Sequence, residues 1–428
     1  MIYDLAVIGA GAAGLRAALS ASDARMSVVL FDKETRGVGA AFSGSVSMDS
    51  LLSGAMAGLG HAESSALMLD NSQKLSKTME HHIKTRRIEY IKGKARAGHY
   101  HDGIFRVLSE NGDISARRLI IATGSVAALP YAKGIQTALN TGMAVTDRTL
   151  QTLSDIKGHV LVHGGSLRSI QLASYAALCG AMAYVMSFAS EFDSEVAALL
   201  CHALSEIGVR FIPNSSVTAC GSGGFCVSRD RDGATANMEA ETLICGGERL
   251  PATRSIGLDK LGIAGRRVSC DFEGKTGHPE VFAAGDCAGR TYTLPEAQFT
   301  ADICARSAAG RRHPFYRFAP EYALRKPFGV FSIGDTAASG VSKRIRVAEM
   351  KLPLPWKNHE AGMIKLVADA SSRRLLGAHI IGDGAEELAA VFTPSIQAGS
   401  RLGDVRMPML SISSEIASEL LYRLNRKI

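Results

Sequence analysis

The feature that most constrains the fold is a glycine-rich run close to the amino terminus. An apolar segment, LAVI at residues 5–8, is followed at once by GAGAAG at residues 9–14 and then by a stretch that favours a helix. A second apolar segment, VVLF at residues 28–31, ends in Asp32. Strand, glycine turn, helix, strand and acid in this order are typical of a parallel α/β unit that binds a dinucleotide.

Each position of this motif has a predicted physical role. Gly9 permits a tight turn, Gly11 lets a pyrophosphate approach the backbone, and Gly14 lets the helix pack closely against the strand. The amino terminus of the helix attracts the phosphates. Asp32 is suited to accept hydrogen bonds from a ribose, with Lys33 beside it. The alternative is a glycine-rich turn without a ligand, but the ordered strand, helix and acid favour a binding site.

Two later segments repeat the pattern of an apolar strand that runs into small residues. They are LIIATGS at residues 119–125 and VFAAGDCA at residues 281–288. With these segments, and with GERLPAT at residues 247–253, the chain resembles the pyridine nucleotide–disulfide oxidoreductases, and among them the dihydrolipoamide dehydrogenase and mercuric reductase branch. The resemblance covers nearly the whole chain and implies FAD as the cofactor. Beyond the first motif, the residues that it assigns to FAD are Gly39, Thr123, Gly124, Gly285 and Asp286.

The resemblance also implies an architecture. It predicts an α/β protein with two Rossmann-like dinucleotide-binding domains and a C-terminal α+β dimerisation domain. We expect the FAD-binding domain at residues 1–147 and 248–320, a degenerate NAD(P)-binding-type domain at residues 148–247, and the dimerisation domain at residues 321–428. A homodimer joined through the last domain follows from the same resemblance.

The redox dithiol that this family carries is missing from the sequence. The family segment GGTCxNxGCxPSK matches residues 37–49 without a gap, and Ala40 and Ser45 stand at the two cysteines. Asp49 stands at the lysine, and the first cysteine of the chain is Cys179. Because alanine and serine form neither a thiolate nor a disulfide, the sequence predicts that disulfide reduction is lost.

The acid–base pair that serves the dithiol in this family is missing as well. The family segment HPxLSE corresponds to MPMLSI at residues 407–412. Met407 stands at the histidine and Ile412 at the glutamate, so neither position can transfer a proton. Two distant segments have therefore lost the same chemistry.

A second strand and loop, VLVHGGSLRS at residues 160–169, stand where the family has another GxGxxG. Only the first required glycine remains, because Ser166 and Ser169 stand at the other two positions. The next strand ends in Ser187 rather than in an acid that would bind a ribose of NAD. We therefore expect the fold to be kept, and the use of NAD(P)H stays open. The residues that could contact NAD(P)H are Gly164, Gly165 and Arg168.

Three residues are candidates for a catalytic role. Asp49 and Gln171 stand where the family has a lysine and a glutamate beside the flavin, and they could form a new polar contact in which Asp49 acts as a base. The alternative, which the sequence favours equally, is that both positions changed without gaining a function after the original pair was lost. Ser45 could donate a hydrogen bond to the flavin ring, although a helix-capping serine is the simpler interpretation.

Composition narrows the remaining classes of protein. A chain of 428 residues with 46% hydrophobic and 21% charged residues is typical of packed globular domains. The net charge is +7, and the basic clusters are short and contain no interleaved aromatic residues. This pattern does not indicate nucleic acid binding. No uncharged run approaches the ~20 residues that span a bilayer. Eight cysteines without a CxxC pair fit a reducing, cytoplasmic compartment, and no metal-ligating cluster is predicted.

These observations predict an FAD-dependent oxidoreductase without disulfide reductase chemistry. Its flavin would pass electrons directly to or from a small molecule, such as a quinone, or a redox protein, with NAD(P)H among the candidate donors. One alternative is a catalytically silent FAD-binding scaffold subunit of a larger complex. A further, less favoured alternative is dihydrolipoamide dehydrogenase activity through other cysteines.

Overall fold

A computed structural model describes residues 1–33, 38, 45–186, 188, 192–221, 224–229, 235–289, 292–311, 321–336, 345–352, 362–408 and 411–427 of the chain. These residues form two compact units. The first unit draws on residues 1–51, 62–128 and 249–314, and the second on residues 52–61, 129–248 and 315–428. Each unit therefore contains segments that are far apart in the sequence.

The strands of the described residues are, in chain order, β1 (Ile2–Ile8), β2 (Val28–Asp32), β3 (Glu89–Lys92), β4 (Ala95–His101), β5 (Ile104–Ser109), β6 (Ile114–Ile121), β7 (Ser125–Ala127), β8 (Ala144–Thr146), β9 (His159–His163), β10 (Met182–Met186), β11 (Val209–Ile212), β12 (Ser215–Gly221), β13 (Gly224–Arg229), β14 (Thr235–Met238), β15 (Thr242–Cys245), β16 (Arg249–Pro251), β17 (Val281–Ala283), β18 (Glu321–Leu324), β19 (Val330–Gly334), β20 (Ile345–Leu352), β21 (Gly362–Asp369) and β22 (Leu375–Ile381). The α-helices are α1 (Ala12–Asp23), α2 (Ser45–Met56), α3 (His61–Thr85), α4 (Ile135–Thr141), α5 (Leu167–Leu178), α6 (Ser194–Glu206), α7 (Leu294–Ala308), α8 (Ala385–Gln397) and α9 (Ile412–Lys427).

The first unit is built on a sheet in the order β3-β2-β1-β6-β5-β4, with β17 also paired to β6. Strands β1, β2, β6 and β17 run parallel, and β1 lies between β2 and β6. These four strands are rich in aliphatic residues because helices or loops cover both faces of such a sheet. Parallel strands end at the same edge, so the loops after β1, β6 and β17 lie at that edge together.

Two apolar clusters fill the faces of this sheet. On one face, Leu5, Val7 and Leu30 pack with the alanines of α1 and α7. Small side chains let these two helices lie close to the sheet and to each other. On the outer surface of the pair, Asp302 of α7 accepts hydrogen bonds from Arg16 at 3.0 Å and from Ser20 at 2.7 Å. The glycine loop therefore rests on a tightly packed layer.

The second unit begins with a parallel sheet in the order β11-β10-β9-β15-β8. Strands β9 and β15 are its buried centre, and α5 covers one face. Strand β8 and helix α4 precede residue 148 but belong to this unit. A separate antiparallel sheet, β12-β13-β14, packs its Val217 and Phe225 into the same core.

The C-terminal part of the second unit is an antiparallel sheet in the order β18-β19-β22-β21-β20. Helices α8 and α9 cover it with Leu388, Phe392 and Leu420. Lys365 of β21 is buried and lies 3.0 Å from a carboxylate oxygen of Asp193, which caps α6. This ion pair connects the C-terminal sheet to the parallel sheet of the same unit.

The α/β fold class predicted from the sequence is confirmed by these sheets and helices. Among the described residues, no helix is both long and apolar enough to cross a membrane.

Candidate functional site

The first glycine loop connects β1 to α1, and two of its three glycines have no room for a Cβ. Gly9 has a φ of +105°, and a Cβ there would collide with the carbonyl oxygen of Ala122. A Cβ at Gly14 would collide with the carbonyl oxygen of Gly9. Gly11 precedes α1 in an extended conformation, and none of the described side chains caps this helix. The N–H groups of its first turn are therefore suited to an anionic group.

Asp32 lies at the end of β2, at the same edge of the sheet as the glycine loop. It is 5% exposed and accepts a hydrogen bond of 3.1 Å from the hydroxyl of Tyr90 on β3. Burial, and next the negative charge of Asp32, raise the pKa of Tyr90, so its hydroxyl stays a donor. Lys33 follows on the exposed side. A buried carboxylate at this point is suited to ribose hydroxyls.

Thr123 and Gly124 follow β6 at the same edge. The Oγ1 atom of Thr123 is buried and has no hydrogen-bond partner in the part of the chain that the structure describes. Gly124 has a φ of +72°, which turns the chain, and the space beyond its Cα is open. Buried hydroxyls normally have a partner, so this atom is available for a hydrogen bond with a ligand bound at this loop.

Gly285 and Asp286 follow β17, again at this edge. Gly285 has a φ of +69°, and a Cβ there would lie 2.7 Å from the Cβ of Ala13 on α1. Asp286 accepts a hydrogen bond from the hydroxyl of Ser125. Arg249 donates to that same hydroxyl at 2.7 Å, and its Nε lies 4.0 Å from a carboxylate oxygen of Asp286. The acid is thus held in a fixed orientation.

Four loops of the first unit therefore fit FAD. They supply glycine positions that a Cβ would fill, an uncapped helix end, a buried carboxylate and a buried hydroxyl without a partner. Gly39 and Ala40 lie outside the described residues, as does the side chain of Ser45. Asp49, one turn into α2, is half-buried and belongs to the first unit. Its role stays a prediction.

Two cysteines lie next to these loops, and both are buried in the core. The thiol of Cys287 donates to the carbonyl oxygen of Ile121 at 3.1 Å, and that of Cys304 to the carbonyl oxygen of Ala283 at 3.2 Å. Burial raises the pKa of Cys287 to about 12 and that of Cys304 well above its usual value. Both thiols are therefore held protonated and are poor nucleophiles.

The second glycine loop, between β9 and α5, differs from the first in its contacts. Ser166 caps α5 by accepting a hydrogen bond of 3.2 Å from the N–H of Arg168. The carboxylate of Glu248, which follows β15, accepts a hydrogen bond of 3.2 Å from the N–H of Gly165. A Cβ at Gly164 would lie 2.8 Å from the Cγ of Glu248. Side chains of the protein thus occupy polar positions that are open in the first loop.

The polar side chains at the start of α5 contact one another. Arg168 is 12% exposed and lies 3.4 Å from a carboxylate oxygen of Asp147, which is 2% exposed. It also donates to Oε1 of Gln171 at 3.3 Å. Gln171 belongs to the second unit and Asp49 to the first. Ser187 lies outside the described residues.

The C-terminal segment that corresponds to HPxLSE has no titrating side chain at its two key positions. Met407 packs against the apolar cluster of the C-terminal sheet, and Ile412, the first residue of α9, is 67% exposed. Ser411 donates to a carboxylate oxygen of Glu387 at 2.9 Å, and its own N–H donates to Ser414. The hydroxyl of Ser411 also accepts a hydrogen bond of 3.2 Å from the N–H of Ser414, which caps the start of α9.

The fold and the first set of loops define a class, the flavoproteins with two dinucleotide-type domains, and comparisons with known proteins define the family. The family model described as pyridine nucleotide-disulphide oxidoreductase matches residues 3–301. The dimerisation domain of the same family matches residues 340–411. The chain therefore belongs to this family and is an FAD-dependent oxidoreductase, in a family whose electron donor is NAD(P)H. The second match supports a homodimer.

Similar proteins include two curated relatives and two solved structures. Dihydrolipoyl dehydrogenase 3 of Pseudomonas aeruginosa is 27% identical over 90% of each chain. Mercuric reductase of Streptomyces lividans is 25% identical over 93% of this chain and 90% of its own. The HOCl-induced flavoprotein disulfide reductase RclA of Escherichia coli has a TM-score of 0.82 at 21% identity, covering 98% of this chain and 99% of its own. LpdA of Mycobacterium tuberculosis has a TM-score of 0.83 at 20% identity with the same coverage. The two structures share the fold.

Three residues at the sites were not singled out from the sequence. Ser125 and Arg249 orient Asp286, and Glu248 contacts the second glycine loop. The GERLPAT segment indicated that the residues around position 249 belong to a family motif, but it did not indicate which residues they contact. These contacts join residues more than 80 positions apart, which periodicity cannot reveal.

Proposed function

We propose that this protein is an FAD-dependent oxidoreductase whose flavin exchanges electrons directly with a small-molecule or protein redox partner, without a dithiol between them. In this proposal FAD is held by Gly9, Gly11 and Gly14 at its pyrophosphate and by Asp32 at a ribose. Thr123 and Asp286 would hold the flavin end. When bound, FAD supplies two-electron redox chemistry to the site.

The observation that carries the proposal is the replacement of the dithiol beside a site that fits the cofactor. Ala40 and Ser45 stand at the two cysteine positions, so this segment holds no cysteine. Two cysteines beside the described loops, Cys287 and Cys304, donate to backbone carbonyls and have raised pKa values. Neither supplies the thiolate that disulfide exchange requires.

The chain's own side chains would then act on the partner molecule. Asp49, on the first turns of α2, would accept or hold a proton of the substrate, and Ser45 would donate a hydrogen bond to the flavin ring. The half-buried Asp286, held by Arg249 and Ser125, would keep the ribityl chain in one orientation. Gln171 is engaged by Arg168, which supports a positioning role rather than proton transfer.

The test is the reoxidation of reduced enzyme by two kinds of acceptor. The FAD-loaded protein is reduced with one equivalent of dithionite without oxygen and then mixed in a stopped-flow instrument with menadione or with lipoamide. We expect the yellow absorbance of oxidised flavin to return with the quinone and not with the disulfide. Rapid return with lipoamide would contradict the proposal. No return with either acceptor, nor with a wider set of quinones, would instead favour a scaffold without turnover.

A further inference from the structure

We propose that Glu248 excludes NADH and NADPH from the second dinucleotide-type domain, so that the flavin receives its electrons from a donor other than a pyridine nucleotide. That the flavin uses another electron donor rests on the proposed function. The exclusion of NADH and NADPH by Glu248 rests only on contacts within the second unit.

Glu248 obstructs the second glycine loop sterically. The N–H of Gly165 is a backbone donor at the turn of the second glycine loop, and the carboxylate of Glu248 already accepts its hydrogen bond at 3.2 Å. The backbone nitrogen of Glu248 would lie 2.9 Å from a Cβ at Gly164, so residue 248 lies against the loop itself. A pyrophosphate reaches such a loop by touching its backbone. It would have to displace this side chain.

The carboxylate of Glu248 also opposes dinucleotide binding electrostatically. A carboxylate beside the loop puts a negative charge where a dinucleotide carries its two phosphate charges, and like charges at close range repel. The end of α5 offers less compensation than the end of α1, because Ser166 already accepts from the N–H of Arg168. In α1 none of the described side chains takes that role.

Arg168 is the cationic residue that the sequence predicts as a contact for a phosphate. Its guanidinium instead lies 3.4 Å from the buried carboxylate of Asp147 and donates to Gln171 at 3.3 Å. Turning it outward would leave Asp147 as a buried charge without this partner, which is costly. The loop therefore combines an added negative charge with a positive charge that is directed inward.

The experiment measures binding rather than electron transfer. NADH, NADPH and their oxidised forms are titrated calorimetrically, without oxygen, into the FAD-loaded protein and into the variants Glu248→Gln and Glu248→Ala. Glu248 is exposed, so both substitutions leave the core intact. The matched control is Glu241→Gln. Glu241 is also exposed and accepts a backbone N–H at 2.5 Å, from His159, but at the opposite end of β9.

We expect no saturable binding to the natural protein up to about 1 mM, and a gain of about ten-fold or more in both Glu248 variants. The Glu241→Gln variant should behave like the natural protein. Binding of either nucleotide by the natural protein in the low micromolar range would overturn the inference. So would Glu248 variants that fold, retain FAD and bind no better than the control. Neither result depends on the acceptor experiment, so a failure of the proposed function is recognised separately.

Discussion

The two glycine loops of this chain have the same strand–loop–helix topology, but their polar contacts differ. The first, after β1, keeps three glycines, and none of the side chains that the structure describes caps the end of α1. The second, after β9, has a serine cap on α5 and a carboxylate on its backbone. Both strands are buried in parallel sheets. Because apolar packing of strand and helix maintains the unit, the fold can persist after the ligand-binding contacts have changed.

The largest effect is expected at the closest contact of the first loop. In Gly14→Ala the new Cβ would overlap the carbonyl oxygen of Gly9, so the loop must move away from the position that meets the pyrophosphate. We expect the purified variant to be colourless. The matched control is Ser169→Ala at the corresponding position of the second loop, which should keep its full FAD content. A folded, yellow Gly14→Ala protein, as judged by circular dichroism and absorbance, would remove the first loop from the cofactor site.

The next effect is expected at Asp32. Replacing this buried carboxylate in Asp32→Asn removes a charged acceptor, and hydrogen bonds to charged groups contribute about 1.5–3 kcal/mol. FAD affinity should fall about ten- to hundred-fold, measured by quenching of flavin fluorescence on titration into apoprotein. Tyr90→Phe keeps the carboxylate and serves as the control, with a much smaller change. Equal affinities of Asp32→Asn and the natural protein would show that this acid does not contact the ribose.

Thr123 allows a sharper test, because the two states of the protein should respond in opposite directions. In Thr123→Val the hydroxyl that lacks a described partner is removed at nearly constant volume. The apoprotein should unfold at a higher temperature, since a buried polar group without a partner costs about 1–3 kcal/mol. FAD affinity should fall about five-fold, for the loss of one hydrogen bond of about 1 kcal/mol. Unchanged FAD affinity would mean that the hydroxyl does not face the cofactor.

The smallest effect concerns His163, the last residue of β9. Burial lowers its pKa, and the nearby charge of Glu248 raises it in part. Because the folded pKa lies below that of the unfolded chain, the free energy of unfolding should decrease as the pH falls below about 6.5. Glu248→Gln should lower the pKa of His163 further, and Glu241→Gln should leave it unchanged. Histidine resonances followed by NMR through a pH titration measure both shifts, and a rise in Glu248→Gln would contradict the geometry.

The parts of the fold that follow from local pattern were predictable. Buried aliphatic runs predicted β1, β2, β9 and β17, because a strand covered on both faces needs continuous apolar residues. The first glycine loop was predictable for the same reason, since its strand, turn and helix are adjacent in the sequence.

The contacts of the second loop were not predictable from the sequence. The sequence showed only that Ser166 replaces a glycine of the motif, and the structure shows that it caps α5. Glu248 reaches Gly165 across 83 positions of the chain. Such a contact depends on how β9 and β15 pair in the sheet, and single-sequence patterns do not carry that register. The orientation of Arg168 toward Asp147 was hidden for the same reason.

The most direct test of the missing dithiol counts the electrons that the protein accepts. FAD takes up two electrons, and a disulfide coupled to it would take up two more. In an anaerobic dithionite titration we predict that the flavin is fully bleached after about two electrons per FAD, with no phase in which reductant is consumed before or after bleaching. Consumption of about four electrons per FAD would reveal a redox-active disulfide and contradict direct exchange between flavin and substrate.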